Sequence, residues 1–456
     1  MPSSVIRRLI GGAVAFIAFG CAPELPTEAA DPAIRAAKGT AGGGTRGAAG
    51  IVVGTALPSA TTRDTTINVR IIGSGFDRNM TAKWAIDSIV TSAVAVNSTR
   101  YVSATELVAN ITVSSDAPLT EYDIIITSTK GGKPGIGTEI FEIVQELDLG
   151  SLGGSYTGAY ALNEAGQVVG YSSYYVSGGS SHDRPVIWSN GTIRDLLPSG
   201  YTLGRATDVN ESGTVVGWAV RSSDFFIVPF TWSASTGFRA LPTIAGENNS
   251  GAMAINDAGI VAGYSGRAAV IWENGVLRVI QSVPDRFNTA VDVNSSGVVI
   301  AVETVTQTGG SPRSLQWSAA SGVQFLPTLN GSAGSVAAIN DLGMIIGNGP
   351  TPTDPSSHPF IIDGGVAREL VSTLGRVTVT ALSEVGHIVG QDANNRGFLR
   401  DPSGFETIIC TPVVPAPQYS TSCGGSAVDN NGRSVGWKTD KYGQGTKAYA
   451  WQLVIQ

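Results

Sequence analysis

The stretch Ala159-Tyr160-Ala161-Leu162-Asn163-Glu164-Ala165-Gly166-Gln167-Val168-Val169-Gly170 decides the fold, because the chain repeats it. A clear second copy runs from Ala252 to Gly263. The first glycine of the phrase recurs at Gly166, Gly213, Gly259, Gly297, Gly343, Gly386 and Gly432. A period of about 45 residues indicates one small structural unit that is stacked on itself many times.

The Asn-x-x-Gly step inside this phrase predicts a tight β-hairpin. Glycine adopts positive φ at such a turn without a steric clash, and the apolar residues on both sides form the two strands. A calcium loop would need an acidic residue at every second position, and no copy has that ladder. We therefore interpret the column as turn chemistry and expect no metal ion and no other cofactor. Its members are Asn163, Asn210, Asn256, Asn294, Asn340, Ser383 and Asp429.

A second column of residues follows each hairpin, and five of the eight tryptophans fall in it. Its seven members are Trp188, Trp232, Trp272, Trp317, Ile362, Arg400 and Trp451. Large aromatic side chains at one repeated strand position are most simply explained by packing between repeats, since each buries about 150 to 250 Å². Stacking on a ligand is the alternative. Another short apolar strand comes next, so each repeat holds four strands, as one blade of a β-propeller does.

The ends of the repeat region predict how the ring closes. The last repeat runs to Gln456 with only three strands, whereas Glu146 to Leu152 looks like a fourth strand without a repeat. Pairing the two would leave no free sheet edge. The sequence therefore predicts an all-β chain in which residues 146–456 form a seven-bladed β-propeller.

Residues 51–145 show a different pattern, in which short strands with alternating burial are separated by turn residues. This pattern is typical of a β-sandwich. The stretch resembles the IPT/TIG immunoglobulin-like domains through Gly73-Ser74-Gly75-Phe76, Thr105-Glu106-Leu107 and the closing Phe141. The resemblance implies a spacer or a partner-binding module.

The repeat phrase, with its downstream Trp-x-x-Gly strand, resembles the HAF family of bacterial extracellular repeats from residue 146 to the end of the chain. The His-Ala-Phe triplet that names the family survives only approximately, as His358-Pro359-Phe360. The resemblance implies an exported protein and no particular activity.

The N-terminus predicts export. Arg7 and Arg8 precede an apolar run that ends at Gly20 and is too short to span a membrane, as in a signal peptide over residues 1–20. Ala18-Phe19-Gly20-Cys21 resembles a lipobox, in which Cys21 carries a lipid and is the only membrane anchor. Leucine is usual where Ala18 stands, so ordinary signal cleavage, giving a periplasmic or secreted protein, remains the alternative to an outer-membrane or cell-surface lipoprotein. Residues 21–50 have the composition of a flexible tether.

The other two cysteines, Cys410 and Cys423, bracket a proline-rich stretch. An oxidising compartment permits a disulfide between them, worth about 3 kcal/mol on the chain-entropy model. Two free thiols are the alternative. The net charge of -7 gives no basic surface for phosphates, so no nucleic acid partner is expected.

Two carboxylates interrupt a column of small residues on the predicted first strands. Asp208 and Asp292 stand where the other copies have Ala161, Ala254, Ala338, Ala381 and Ala427. A carboxylate at such a crowded position either accepts hydrogen bonds from neighbouring backbone or carries function. Both interpretations stay open.

A mostly cationic column precedes the third strand of each repeat: Arg184, Val228, Ala268, Arg313, His358, Arg396 and Lys447. Propeller topology places these side chains on the same face as the loops that enter the first strands. They would partly ring one mouth and favour an anionic ligand, or they would pair with loop carboxylates. We take Arg184, Arg313, His358 and Arg396, with Asp208 and Asp292, as candidate ligand-binding residues.

No catalytic residue is assigned from the sequence. His182, His358 and His387 lie in separate repeats, and the chain has no Cys-x-x-Cys pair and no nucleophile-elbow glycines. The favoured hypothesis is a non-catalytic surface lipoprotein whose propeller mouth binds a protein or a polysaccharide. The alternative is a secreted carbohydrate-active enzyme, a glycoside hydrolase or lyase, that uses Asp208 or Asp292.

Overall fold

The computed structural model describes residues 50–452 apart from 58–59, 176–180, 306–311, 330, 332–333, 405, 411–421 and 440–444. Over these residues the chain is all β, as the sequence predicts. The described elements therefore include no helix that is long and apolar enough to span a membrane. The predicted signal peptide, Cys21 and the tether up to residue 49 lie outside the described residues.

The first nine strands build two sheets over a common core. One sheet has the order β1-β3-β7-β6, and the other runs β9-β8-β4-β5, with β2 pairing in parallel with β9. Trp84 meets Phe141 edge-on in the core, with ring centroids 5.5 Å apart. The strands are β1 Val52–Leu57, β2 Ala60–Thr62, β3 Thr66–Ser74, β4 Met80–Ile86, β5 Ile89–Val90, β6 Val94–Ser103, β7 Glu106–Val113, β8 Glu121–Ser128 and β9 Gly135–Asp148.

Six four-stranded antiparallel sheets follow, one for each of the first six repeats. Their strands are β10 Thr157–Leu162, β11 Val168–Tyr175, β12 Ser181–Ser189, β13 Thr192–Asp195, β14 Tyr201–Val209, β15 Val215–Arg221, β16 Ile227–Ser233, β17 Gly237–Ala240, β18 Ser250–Ile255, β19 Val261–Ser265, β20 Ala268–Glu273, β21 Val276–Gln281, β22 Arg286–Val293, β23 Val299–Val305, β24 Arg313–Ser318, β25 Gly322–Phe325, β26 Ser335–Ile339, β27 Ile345–Gly349, β28 His358–Asp363, β29 Val366–Glu369, β30 Val377–Leu382, β31 Ile388–Asp392, β32 Gly397–Arg400 and β33 Glu406–Cys410.

The last repeat supplies three strands, β34 Cys423–Val428, β35 Ser434–Thr439 and β36 Thr446–Gln452. β36 pairs with the C-terminal part of β9, so that Glu146 lies opposite Trp451 and Asp148 opposite Tyr449. The predicted closing strand is therefore paired. The predicted domain boundary at residues 145 and 146 falls inside β9, which joins the three strands of the last repeat to β8, β4 and β5 in one eight-stranded sheet.

The first strands of successive repeats contact one another in order, from β10 to β34, and β34 contacts β10. The sheets thus form a closed, propeller-like ring. Each first strand ends at its Asn-x-x-Gly hairpin, and we call that end of the ring the hairpin face. The opposite end, where the first and third strands of each sheet begin, is the loop face.

The hairpin glycines behave as predicted. Gly166 has φ 77°, and the other six glycines of its column also have positive φ. The second glycine of the phrase serves another purpose, because a Cβ on Gly170 would lie only 1.9 Å from the carbonyl oxygen of Gly158. Glycine at this position therefore permits the close approach of the first two strands where the first strand bulges.

The tryptophan column packs between repeats, as expected. Trp232 of the second repeat lies in one cluster with Ala161 and Val169 of the first. Trp188 of the first repeat packs against Val435 and Ala448 of the last. The tryptophan of the first repeat therefore packs against the last repeat in the same way as that of the second packs against the first, so this packing continues where the ring closes.

The asparagine column connects neighbouring repeats, which the sequence did not predict. In the second repeat, Asn210 Oδ1 accepts the backbone N–H of Thr214 at 2.9 Å, which closes the hairpin. Asn210 Nδ2 donates to the carbonyl oxygen of Asn256 in the third repeat at 3.1 Å. Asn163, Asn256 and Asn294 make the same bond to the next asparagine in the column. We call this series of bonds the asparagine relay.

The relay changes where the column loses its asparagines. Asp429 cannot donate, but it holds Arg433, whose Nη2 donates to the Glu164 carbonyl oxygen at 2.6 Å. Ser383 has no amide to donate, but its hydroxyl accepts the His387 N–H, as the asparagine Oδ1 does in the other hairpins. A disulfide between Cys410 and Cys423 joins β33 to β34 at this same junction, between the sixth and seventh repeats.

Candidate functional site

A cavity of about 380 Å³ lies on the axis of the ring, lined by the ends of the first strands and by the hairpins. Its lining is strongly acidic. The carboxylate residues are Glu164, Asp208, Glu211, Asp257, Asp292, Asp341, Glu384 and Asp429. The field of so many carboxylates favours cations and disfavours anions.

Most of these acids follow the asparagine column by one residue and connect one repeat to the next. Glu211 accepts the backbone N–H of Glu164 at 3.0 Å, and Glu164 accepts that of Asn430 at 2.8 Å. Asp257 and Asp341 accept the equivalent N–H of the preceding repeat in the same way. The acidic column therefore joins the hairpins around the ring.

Asp208 and Asp292 line this cavity and use both oxygens on backbone groups. Asp208 accepts the N–H of Val209 and, from the third repeat, the N–H of Ile255, each at 2.8 Å. Asp292 accepts the N–H of Val293 at 2.8 Å and that of Ile339 at 2.9 Å. Each carboxylate therefore accepts hydrogen bonds from the backbone of its own repeat and of the next one. This geometry fits the interpretation in which a carboxylate at this position accepts hydrogen bonds from neighbouring backbone.

Burial raises the pKa of both carboxyl groups. The pKa of Asp208 rises to about 7 and that of Asp292 to about 6, with backbone N–H bonds opposing the shift and nearby carboxylates adding to it. A folded-state pKa above the unfolded value of about 3.9 favours folding at low pH, and this contribution is lost as the pH rises through the folded value.

Stability should accordingly fall as the pH rises from about 4 to about 7, with a slope of up to about 1.4 kcal/mol per pH unit for each of the two groups. Urea unfolding of the wild type and of Asp208→Asn across this range measures the slope. The variant should show a flatter dependence on pH. An unchanged slope would mean that Asp208 titrates near its ordinary value.

The four cationic candidates lie at the loop face, and each is paired with a carboxylate. Arg184 meets Asp195 at 2.8 Å, and Arg396 meets Asp392 at 2.6 Å. Arg313 pairs with Glu303, whose side chain is fully buried. His358 contacts Glu369 at 2.8 Å and Asp354 at 3.1 Å, and its bond to Glu369 is the main cause that raises its pKa. The charges of this column are compensated locally.

The structure therefore separates the two sets of candidates. Asp208 and Asp292 come together at the cavity, near the hairpin face. The four cationic candidates lie at or near the beginnings of third strands at the loop face and line no part of that cavity: Arg184, Arg313, His358 and Arg396. Among the described residues, no group of three His, Cys, Asp or Glu side chains is placed to hold a metal ion.

Exposed aromatic side chains mark the loop face, and the sequence did not single out most of them. In the described part of the chain, every aromatic residue among the exposed large apolar side chains stands where a first, second or fourth strand meets this face, or in a loop between second and third strands. They are Tyr156, Tyr174, Tyr175, Phe225, Phe287 and Phe325, which are 43 to 68% exposed. The hairpin face instead exposes aliphatic side chains: Val276, Leu342, Val366 and Val385.

No model of a protein family matches the sequence, and no curated protein matches it either. Solved structures give weak likenesses. One is described as a candidate gluconolactonase, is 11% identical, and matches over 69% of this chain and 93% of its own with a TM-score of 0.33. Another, described as U3-55K, is 13% identical over 51% of this chain and 76% of its own, with a TM-score of 0.29. At these TM-scores, neither likeness carries an argument about this chain.

Proposed function

We propose that the protein is an exported, non-catalytic surface protein that binds a protein or a polysaccharide through the loop face of its ring. In this proposal residues 146–456 are a seven-bladed β-propeller of HAF-like repeats, and residues 51–145 are an Ig-like spacer of the IPT/TIG type. Residues 1–20 are a signal peptide, Cys21 carries the lipid, and residues 21–50 are the tether.

Among the residues that the structure describes, the six exposed aromatic side chains all cluster on one face, and this clustering carries the proposal. Tyrosine and phenylalanine offer large contact areas with little side-chain entropy to lose, so they are enriched where proteins bind ligands. An isolated exposed aromatic needs no explanation, but six on the loop face and none among the described residues of the hairpin face do. Loops of variable length on a rigid ring are also where binding specificity usually resides.

The contacts of the remaining candidates support a binding role over catalysis. Asp208 and Asp292 each hold two backbone N–H groups, and the rim cations hold carboxylates. These contacts stabilise the ring that displays the loops. The disulfide between Cys410 and Cys423 is consistent with export to an oxidising compartment.

A comparison of the two faces tests the proposal. The mature chain is screened on protein and glycan arrays beside a variant with the six loop-face aromatics changed to Ser. The control changes Val276, Leu342, Val366 and Val385 to Ser on the hairpin face. We expect the loop-face variant to weaken binding by about tenfold or more, equal to at least 1.4 kcal/mol, and the control to bind as the wild type does.

Loss of binding in the hairpin-face variant alone would contradict the proposal. Turnover of a bound glycan that disappears in Asp208→Asn would instead establish the enzyme alternative. Circular dichroism and thermal unfolding check that both variants keep the wild-type fold.

A further inference from the structure

Four tyrosines gather where the first repeat meets the second. They extend from the loop face into the ring, where Tyr160 also lines the axial cavity. Tyr160 and Tyr171 have ring centroids 5.6 Å apart and are half-buried. Tyr156 and Tyr175 are 44% and 52% exposed. We call these four residues the tyrosine cluster. It combines a buried aromatic base with two rings that are open to solvent.

Strand register places the cluster on one side of β11. Tyr171, Ser173 and Tyr175 alternate along the strand and therefore share a face, whereas Tyr174 points to the other side. Tyr175 Oη lies 2.7 Å from Ser155 Oγ, and Ser173 Oγ accepts the Tyr156 N–H at 2.9 Å. These bonds hold the segment that carries Tyr156 against the end of β11, which carries Tyr175.

An arginine from the second repeat completes the surface. Arg205 Cζ lies 4.1 Å from the centre of the Tyr171 ring, and Nη1 donates to Tyr160 Oη at 2.6 Å. Arg205 Nε also donates to Asp183 Oδ2 at 3.0 Å. About a third of each charged side chain remains exposed, at 31% for Arg205 and 28% for Asp183. The group therefore offers donors and acceptors in fixed positions with no net charge.

The cluster is also a place where the repeats differ. The residue that corresponds to Arg205 is small in the other six copies: Gly158, Gly251, Thr289, Ser335, Thr378 and Gly424. Burial raises the pKa of Tyr160 to about 12 and also raises that of Tyr171, so both hydroxyls stay protonated at neutral pH. The ring architecture does not require this arrangement, since the other repeats form without it.

We propose that the tyrosine cluster, with Arg205 and Asp183, binds a neutral pyranose unit of a polysaccharide, an inference that rests on the proposed function and specifies its ligand. The negative faces of Tyr156 and Tyr175 attract the polarised C–H groups of a sugar ring. Arg205 and Asp183 bind hydroxyl groups, which can donate and accept at once. Because the surface carries no net charge, it does not attract a charged peptide or an anionic sugar more strongly than a neutral sugar.

Calorimetric titration of the mature chain tests the inference, with neutral oligosaccharides of glucose, xylose, mannose and N-acetylglucosamine as probes. We expect at least one of them to bind, and Tyr156→Ala/Tyr175→Ala to weaken that binding by about tenfold or more. Leu342→Ala/Val366→Ala is the control, because it removes two exposed apolar side chains from the hairpin face, outside the proposed binding surface. It should bind the sugar as the wild type does.

The outcomes separate this inference from the proposed function. If none of the four oligosaccharides binds, or if Tyr156→Ala/Tyr175→Ala binds as tightly as the wild type, the tyrosine cluster is not the sugar site. A protein ligand lost in the six-residue loop-face variant would then leave the proposed function standing. Binding that depends on the hairpin face would overturn both.

Discussion

A chain that begins at Leu149 is expected to lose its monomeric, folded state, whereas one that begins at Val144 should keep it. The longer chain retains Glu146 and Asp148, which pair with β36. Lys438 Nζ binds Glu146 at 3.0 Å, and Lys447 Nζ binds Asp148 at 2.7 Å. Losing this strand removes bonds worth roughly 3 to 5 kcal/mol, a large part of the stability of an ordinary domain.

The shorter chain also exposes the edge of β36, which can then pair with another molecule. Size-exclusion chromatography with light scattering, together with urea unfolding, distinguishes the two chains. Both lack the N-terminal sandwich, so any difference between them comes from residues 144–148. Equal stability and equal mass would mean that β9 does not close the ring.

Asn210→Ala should lower the free energy of unfolding by about 1 to 3 kcal/mol, because it leaves the Thr214 N–H without its partner and removes one of the two bonds that the Asn256 carbonyl oxygen accepts. The side chain is 6% exposed and connects Thr214 of its own hairpin with Asn256 of the next. Urea unfolding measures the loss. A change of under 1 kcal/mol would show that water replaces both bonds at little cost.

The last repeat suggests a rescue. Asn210→Asp keeps the acceptor for Thr214 N–H but loses the donor, as at Asp429. Adding Thr214→Arg reproduces the Asp429 and Arg433 pair, in which the arginine donates to the neighbouring repeat. The double variant should therefore be more stable than Asn210→Asp alone. The reverse order would mean that the last repeat relies on a geometry that the second repeat lacks.

Much of the architecture follows from the sequence because it depends on local rules that repeat. Two of its features are visible as columns of the repeat, namely a glycine with positive φ and a large aromatic residue between sheets. The third, the closing strand, is visible from the two ends of the repeat region. Gly166, Trp232 and Glu146 each lie where those rules place them. The pairing of Cys410 with Cys423 also follows, since only one cysteine lies outside the pair.

The bonds between repeats were harder to foresee, because their partners lie some 45 residues apart and are backbone atoms. A tight hairpin explains the asparagine column without any contact to another repeat, so the sequence predicts no partner for the side-chain amide nitrogen. One clue was available. Asp429 is followed four residues later by Arg433, and an arginine at that position restores the donor that aspartate lacks.

The candidate sites were predicted less well, because a column of like residues does not reveal its partners. Arg184 and His358 both find a carboxylate eleven residues later, at the end of the fourth strand, where Asp195 and Glu369 stand. The exposed tyrosines are the opposite case. Tyr156, Tyr171 and Arg205 occupy three different positions of the repeat, so only the folded chain shows that they meet.

The closing strand also has a consequence for the time course of folding. Glu146 and its partner Trp451 are 305 positions apart, and among the described strands no pairing other than that of β9 with β36 joins segments so distant in sequence. Contacts between distant parts of a chain form slowly, because a long loop must close before they stabilise anything. The strand that is synthesised before all the repeats can find its partner only after the last repeat has emerged, and until then the ring stays open.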